Sequence, residues 1–557
     1  MQRRDFLGIV GWTSASLTLA GCGCKQMIIP ADRCADWIAP SDLMIDAHCH
    51  VFNASDLLVA GFLRDVVALE SKHPWAELIR LFAQNIQDIG WELAPTIAEE
   101  RQALAQTTPP PPSIDQQKLS THLAQAAVLE HKRESENRYR EGVDRLMSIP
   151  AFKDRYRRLY KDKAVKSAAN RQLLLSPADV VDVIEKPKRT IADVRALQAI
   201  ERQSGISGPF SFLEPFFSFR YINCKTVFDA FTCRSSRLDL ICPAMVDFDH
   251  WLLKSEVHPK SPIADQIDLM ARIAQFFGGM VHSYAPFNPW SASVDPTYFD
   301  TVTRAVTEQG FIGIKIYPPM GFAPTENAGI KTPLDNWPPN EPKFGARIDE
   351  QLLRLYRFAA DHKVGILSHC SPSNVTSSRV YNLFAPDRWQ TMLDLKDASG
   401  AAYFRADAAH ICFGHFGGDN PNNGSHWATD LGQKITTNPA AYADLSYYED
   451  ILYGCVDHMK ERLGDSLKLP HISERLLYGS DWNLLGQETD WEAYLAKFAA
   501  TLPELFPKDS QVAVKAIMGR NATGFFGLGE GMAARQRLDT LYKDVWHVAP
   551  PGWTRKI

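Results

Sequence analysis

The sequence predicts an α/β protein, a (β/α)8 TIM barrel with a large helical insertion after its first strand. Three observations carry this expectation. From about residue 238 onward, short apolar runs alternate with amphipathic helical segments. An earlier apolar run, Leu43-Met44-Ile45, supplies a further buried strand. Between them, from about residue 54 to 235, the chain reads as helices joined by polar loops. Eight strands with intervening helices suit a closed barrel, and no GxGxxG turn follows the first strand to favour an open dinucleotide-binding sheet.

The first strand leads into Ile45-Asp46-Ala47-His48-Cys49-His50-Val51-Phe52. Alternate residues on a strand share a face, so His48 and His50 can approach one metal ion while Cys49 points away. The remaining strands are expected at Leu238–Val246, Gly279–Tyr284, Gly313–Tyr317, Val364–Ser368, Ile411–Gly414, Ala443–Ser446 and Leu476–Tyr478. Helices fit Ile263–Phe277, Asp349–His362 and Trp491–Leu502, and, within the insertion, Trp75–Ile86 and Glu134–Lys163. Ser176-Pro177-Ala178-Asp179 reads as a helix start. The aromatic cluster between Phe210 and Phe231 reads as core.

The N-terminus carries a separate message. Arg3-Arg4-Asp5-Phe6-Leu7, an apolar stretch from Gly8 to Ala20, and Leu19-Ala20-Gly21-Cys22 resemble a bacterial twin-arginine export signal that ends in a lipoprotein box. Residues 1–21 are then the signal, Cys22 carries the lipid, and 22–42 form a tether. The barrel takes 43–53 and 236–557, and the insertion 54–235. The expected location is the periplasmic side of the envelope, with membrane contact only through the lipid on Cys22. An oxidising compartment permits disulfides among the ten cysteines, and Cys224–Cys233 is one candidate pair.

Composition excludes other classes. With 557 residues, 45% hydrophobic, 22% charged and a net charge of −5, the chain has no basic block that would point to a nucleic-acid partner. No run of about 18 apolar residues suggests a membrane span.

Catalytic groups of such barrels sit at the C-terminal ends of strands. Those ends carry His48 and His50, then His369 after Leu367-Ser368, His415 after Phe413-Gly414, and Asp481 after Gly479-Ser480. Each alone has an ordinary explanation, as a helix cap or a loop histidine. Together they form a sound ligand set for a catalytic divalent metal, zinc first, with manganese and iron as alternatives.

These stretches, with Gly313-Ile314-Lys315-Ile316-Tyr317-Pro318, Gly414-His415-Phe416-Gly417-Gly418, Gly479-Ser480-Asp481-Trp482 and Asn521-Ala522-Thr523-Gly524-Phe525-Phe526-Gly527, resemble the amidohydrolase superfamily. Within it they are similar to the amidohydrolase-related branch that includes aminocarboxymuconate-semialdehyde decarboxylase. The resemblance implies His48, His50, His369 and Asp481 as metal ligands and His415 as the acid–base group. In some branches of the superfamily a lysine at the place of Lys315 is carbamylated and bridges two metals; here Lys315 is expected instead as a mouth lysine paired with a carboxylate beside a one-metal site. Asn483 departs from the proline the family often has there.

The expected chemistry is hydrolysis of an amide, ester or lactone of a small molecule by a metal-activated water, with His415 moving the proton and Asp481 holding the water or accepting its proton. The alternatives are non-oxidative decarboxylation of an aromatic or unsaturated acid, and a non-catalytic lipid-anchored binding protein. A homo-oligomer stays open.

Overall fold

The computed structural model describes residues 30–64, 74–109, 126–158, 211–250, 258–330, 337, 341, 343–372, 378–418, 427–486, 488 and 490–557. The export signal, Cys22, the Ser176–Asp179 helix start and residues 419–426 of the loop before Trp427 lie outside the described residues.

The chain forms β1 (Ile45–Cys49), a small antiparallel hairpin of β2 (Thr232–Cys233) and β3 (Ser236–Arg237), then β4 (Leu240–Pro243). It continues through β5 (Tyr284–Phe287), β6 (Gly313–Ile316), β7 (Gly365–His369), β8 (His410–Gly414), β9 (Ala441–Asp444) and β10 (Leu476–Leu477). β5 to β10 pair in sequence order as a six-stranded parallel sheet, and β1 pairs in parallel with β4. Helices α1 (Ile263–Phe276), α2 (Tyr298–Glu308), α3 (Phe344–His362), α4 (Trp427–Thr437) and α5 (Tyr494–Leu505) fall between or after the strands. Short parallel strands separated by helices are what a run of buried apolar segments dictates, since both sheet faces are covered.

The closed ladder that the strand count predicts is interrupted. The two sheets meet through isolated contacts: bridges Ile241↔Val281 and Ala244↔Tyr284 on one side, and on the other the backbone bonds Ala47 N to Tyr478 O (3.0 Å) and Asp481 N to His48 O (2.8 Å). The reason is local. β10 has only two residues, and the register of β1 against β4 shifts between Asp46 and Cys49. The third strand also begins later than expected, because Gly278 and Gly279 adopt left-handed turns (φ +58° and +83°) and regular pairing starts only at Tyr284.

The register shift in β1 has a structural purpose. Ala47 packs in an apolar cluster with Leu367, Cys412 and Leu477, whereas Cys49 joins the other, larger cluster. His48 lies over two glycines. A Cβ on Gly479 would approach His48 Cβ to 2.9 Å, and one on Gly414 would come within 3.1 Å of its Cε1. A bulge of this kind re-aims a side chain without lengthening the strand.

Between β1 and β2 the described residues are mainly helical, including Pro74–Leu93, Ile97–Ala105, Ala126–Ser148 and Arg220–Ala230. A buried ionic cluster ties them to one another and, through Asn53, to the end of the first strand's segment. Arg220, 1% exposed, bonds both Asp56, just beyond the first strand, and Glu100. Glu100 also accepts from Arg220 N at 2.7 Å, and Asp56 Oδ2 from Asn53 N at 3.0 Å, closing a capping box after His50. Burial pushes the Glu100 carboxyl up, and the Arg220 charge opposes that.

The disulfide joins Cys34 to Cys233, across 199 residues, and not Cys224 to Cys233; Cys224 is a free, buried thiol. The spacing of nine residues between Cys224 and Cys233 suggests a local loop, but Cys224 lies on a helix facing the core while the β2–β3 hairpin turns Cys233 toward the segment Ala31–Asp36.

Replacing Arg220 with Met should strand two buried carboxylates and lower stability by about 3–5 kcal/mol. Urea unfolding at pH 7 checks this; a loss below about 1 kcal/mol would mean the cluster does not anchor the helical segment.

Candidate metal centre

The strand ends converge. His48, His50 and Asp481 can each offer one atom to a common point, these atoms lying within 4.8 Å of one another. All three are buried, with Asp481 and His48 at 0% exposure. His50 Nε2 lies 3.3 Å from Asp481 Oδ1, and its Nδ1 is 2.6 Å from the Ala244 carbonyl, which fixes the ring so that Nε2 faces the site. Phe52 stacks on the His50 ring at 5.0 Å, so the mouth beside it is apolar.

Asp481 reaches its place through a left-handed backbone (φ +52°), as do His415 (φ +63°) and Phe416 (φ +42°). Non-glycine residues in this region carry about 1–3 kcal/mol of strain each and cluster at functional sites. Both Asp481 carboxylate oxygens are buried and, among the described residues, have no hydrogen-bond partner. Burial raises this carboxyl above its usual range, the nearby Lys315 charge pulling the other way. An orphaned buried carboxylate beside two imidazoles is the donor set a divalent cation completes. The residues therefore fit a metal.

The imidazoles are in the ligand-competent neutral form. Burial pushes His48, His50 and His369 down, and His415 to about 3. The His369 ring sits 4.7 Å from that of His415, centroid to centroid, and 5.2 Å from Tyr317. Its Nε2 is 3.1 Å from the Ser371 carbonyl. Among the described residues His369 falls in neither group of potential ligands that the structure brings within 4.8 Å; it borders the site through His415.

Lys315 on β6 is 1% exposed, with Nζ 3.0 Å from His48 Nε2. The carboxylate partner expected for it is replaced, among the described residues, by an imidazole. Burial lowers its pKa, while Asp444 and Asp481 raise it.

Sequence reasoning missed Asp444 and Ser446. Asp444 Oδ2 lies 2.9 Å from His48 Nδ1, and Oδ1 accepts from the His415 and Ser446 backbone amides at 3.0 and 3.1 Å. Burial alone would raise Asp444, but the charges and hydrogen bonds around it hold its carboxyl well below the usual range. The available signal was an aspartate inside the apolar run Ala441-Tyr442-Ala443-Asp444-Leu445. The second three-residue group, His48, His415 and Asp444, uses this side of the His48 ring.

Residues 268–528 match the family described as amidohydrolase. Solved structures similar to the chain include a candidate metal-dependent hydrolase from Lactobacillus casei ATCC 334, 10% identical over 88% of this chain and 96% of that one, with a TM-score of 0.37. A second is an uncharacterised TIM-barrel protein from Bordetella bronchiseptica, 14% identical over 57% and 85%, with a TM-score of 0.32. No curated protein matches the sequence.

The wild-type chain should bind one divalent ion. His48→Ala and Asp481→Ala should each weaken zinc binding by more than about 100-fold, beyond the 10–100-fold that losing an outer partner costs. Equilibrium dialysis with metal analysis checks this; undiminished metal in both variants would contradict the site.

Proposed function

We propose that the protein is a metal-dependent hydrolase acting on an amide, ester or lactone bond of a small molecule, a reading that starts from the match of residues 268–528 to the amidohydrolase family. The observation that carries this reading is the unpartnered Asp481 carboxylate set against the His50 and His48 imidazoles at strand ends. His48, His50 and Asp481 would hold one ion, and His369, which borders them beside His415, would complete the set when the ion binds; zinc is the first choice for three imidazoles and a carboxylate. The two candidate ligand groups share His48, and Asp444 already occupies its Nδ1 side, which favours one ion.

A bound divalent cation supplies Lewis acidity and brings the pKa of water toward ~7. His415, neutral and seated between His48 and His369 (ring centroids at 4.9 and 4.7 Å), is the group to take a proton from the attacking water and return it to the leaving group. Asp481, with no competing hydrogen bond, orients the nucleophile or accepts its proton. Phe52 and Tyr317 screen the rings of His50 and His369 from bulk water, which strengthens every electrostatic contact inside.

Decarboxylation of an aromatic or unsaturated acid, as in the aminocarboxymuconate-semialdehyde decarboxylase branch, is the second reading. Lys315 favours it, because a buried amine beside His48 can pair with a substrate carboxylate. The zinc- or manganese-loaded protein, assayed on a panel of esters, lactones, amides and unsaturated acids, should release acid without carbon dioxide. Carbon dioxide release, lost in Lys315→Met, would instead support the decarboxylase.

The location proposed is the outer side of a bacterial inner membrane or the periplasm, with lipid on Cys22. The Cys34–Cys233 disulfide suits that oxidising compartment. Cys22→Ala should move the protein from the membrane fraction to the soluble envelope fraction. Retention in the membrane fraction would contradict lipid anchoring.

A further inference from the structure

The groups behind the metal site form one connected buried network whose proton positions can be counted. Asp444 Oδ1 lies 2.5 Å from Ser446 Oγ, so a proton sits between them. Asp444 also receives the His415 and Ser446 amides on Oδ1, and faces His48 Nδ1 and the Cys412 thiol on Oδ2. Three of these are fixed donors, the two amides and the thiol, and with the surrounding charges they hold the carboxylate ionised, so that it only accepts. The Ser446 hydroxyl therefore donates to Asp444, and its lone pairs face outward.

Two imidazole nitrogens meet those lone pairs. His415 Nδ1 is 2.8 Å from Ser446 Oγ and 3.3 Å from the Ser446 carbonyl, both of which can only accept once the hydroxyl proton is committed. His48 Nδ1 is 3.1 Å from the same Oγ and 2.9 Å from Asp444 Oδ2. Both nitrogens must then be N–H. An independent contact agrees. Lys315 Nζ, a donor when charged, lies 3.0 Å from His48 Nε2, which has to accept.

We propose that Asp444 and Ser446 fix the proton pattern of two histidines on different strands, so that His48 and His415 both carry hydrogen on Nδ1 and both keep Nε2 free of hydrogen, with Ser446 the positioning residue for His415. One carboxylate thus prepares a ligand directly and an acid–base group through a hydroxyl. The two legs are separable. Asp444 grips His48 itself, whereas His415 reaches the carboxylate by its side chain only across Ser446. The inference deepens the reading of His415 as the acid–base group, but it concerns the free chain and holds or fails whatever the protein hydrolyses.

The test is nitrogen-15 NMR of the full-length chain labelled at histidine, before and after chelation, with His415→Gln used only to identify the His415 signals. In the wild type at pH 7, His415 should be a pure Nδ1–H tautomer. Ser446→Ala should convert it to a mixture or to Nε2–H, Ser446→Thr should restore it, and zinc affinity of Ser446→Ala should stay within about threefold of wild type. Asp444→Asn should disturb both rings and weaken zinc by about 10–100-fold. Thermal unfolding identifies a variant that misfolds; the wild-type spectrum alone still decides the tautomer. A wild-type His415 with hydrogen on Nε2 overturns the proposal. So does a His415 signal unmoved by Ser446→Ala, or zinc affinity falling more than tenfold in that folded variant.

Discussion

The site depends on a hydrogen bond buried beneath it, between His48 Nδ1 on the first strand and Asp444 Oδ2 at the end of β9. This contact joins two strands whose residues lie 396 apart in the sequence. It holds the imidazole at an angle that no local sequence preference sets, and Gly414 and Gly479 keep clear the space the ring occupies. With the ring so held, its other nitrogen looks into the mouth, toward Lys315 and the neighbourhood of His50 and Asp481. Neighbouring groups then fall into place around it. Asp46, itself buried, accepts from the Ser480 amide and hydroxyl at 3.1 and 2.6 Å and so ties the first strand to the residue before Asp481.

This arrangement carries a cost in backbone geometry. His415, Phe416 and Asp481 all take left-handed conformations without being glycine. The Asp481 carboxylate is buried and, among the described residues, accepts no hydrogen bond, a condition that costs stability in any folded protein. Left-handed backbone and a carboxylate without hydrogen bonds in one place, at the ends of the strands, suit a site shaped for a ligand.

Much of the site was legible in the sequence because strand-end residues announce themselves. His48, His50, His415 and Asp481 each follow an apolar run, and the structure brings them together around His48. His369 also lies at its expected strand end, beside His415. Asp444 and Ser446 were not legible, since they lie within or just after an apolar strand whose polar residues read as its boundary. The disulfide partner of Cys233 was hidden for a related reason. Cys34 is 199 positions away, and only the packing of the Ala31–Asp36 segment brings it near. The gap in the ladder follows from strands of two to five residues and one register shift, features finer than hydrophobic periodicity can resolve.

The most direct measurement is anomalous diffraction at the zinc edge, on crystals of the full chain grown with zinc. One peak is expected, about 2.0–2.2 Å from His48 Nε2, His50 Nε2 and an Asp481 oxygen. No peak, or a peak on the opposite face of His48 between its Nδ1, His415 and Asp444, would contradict it.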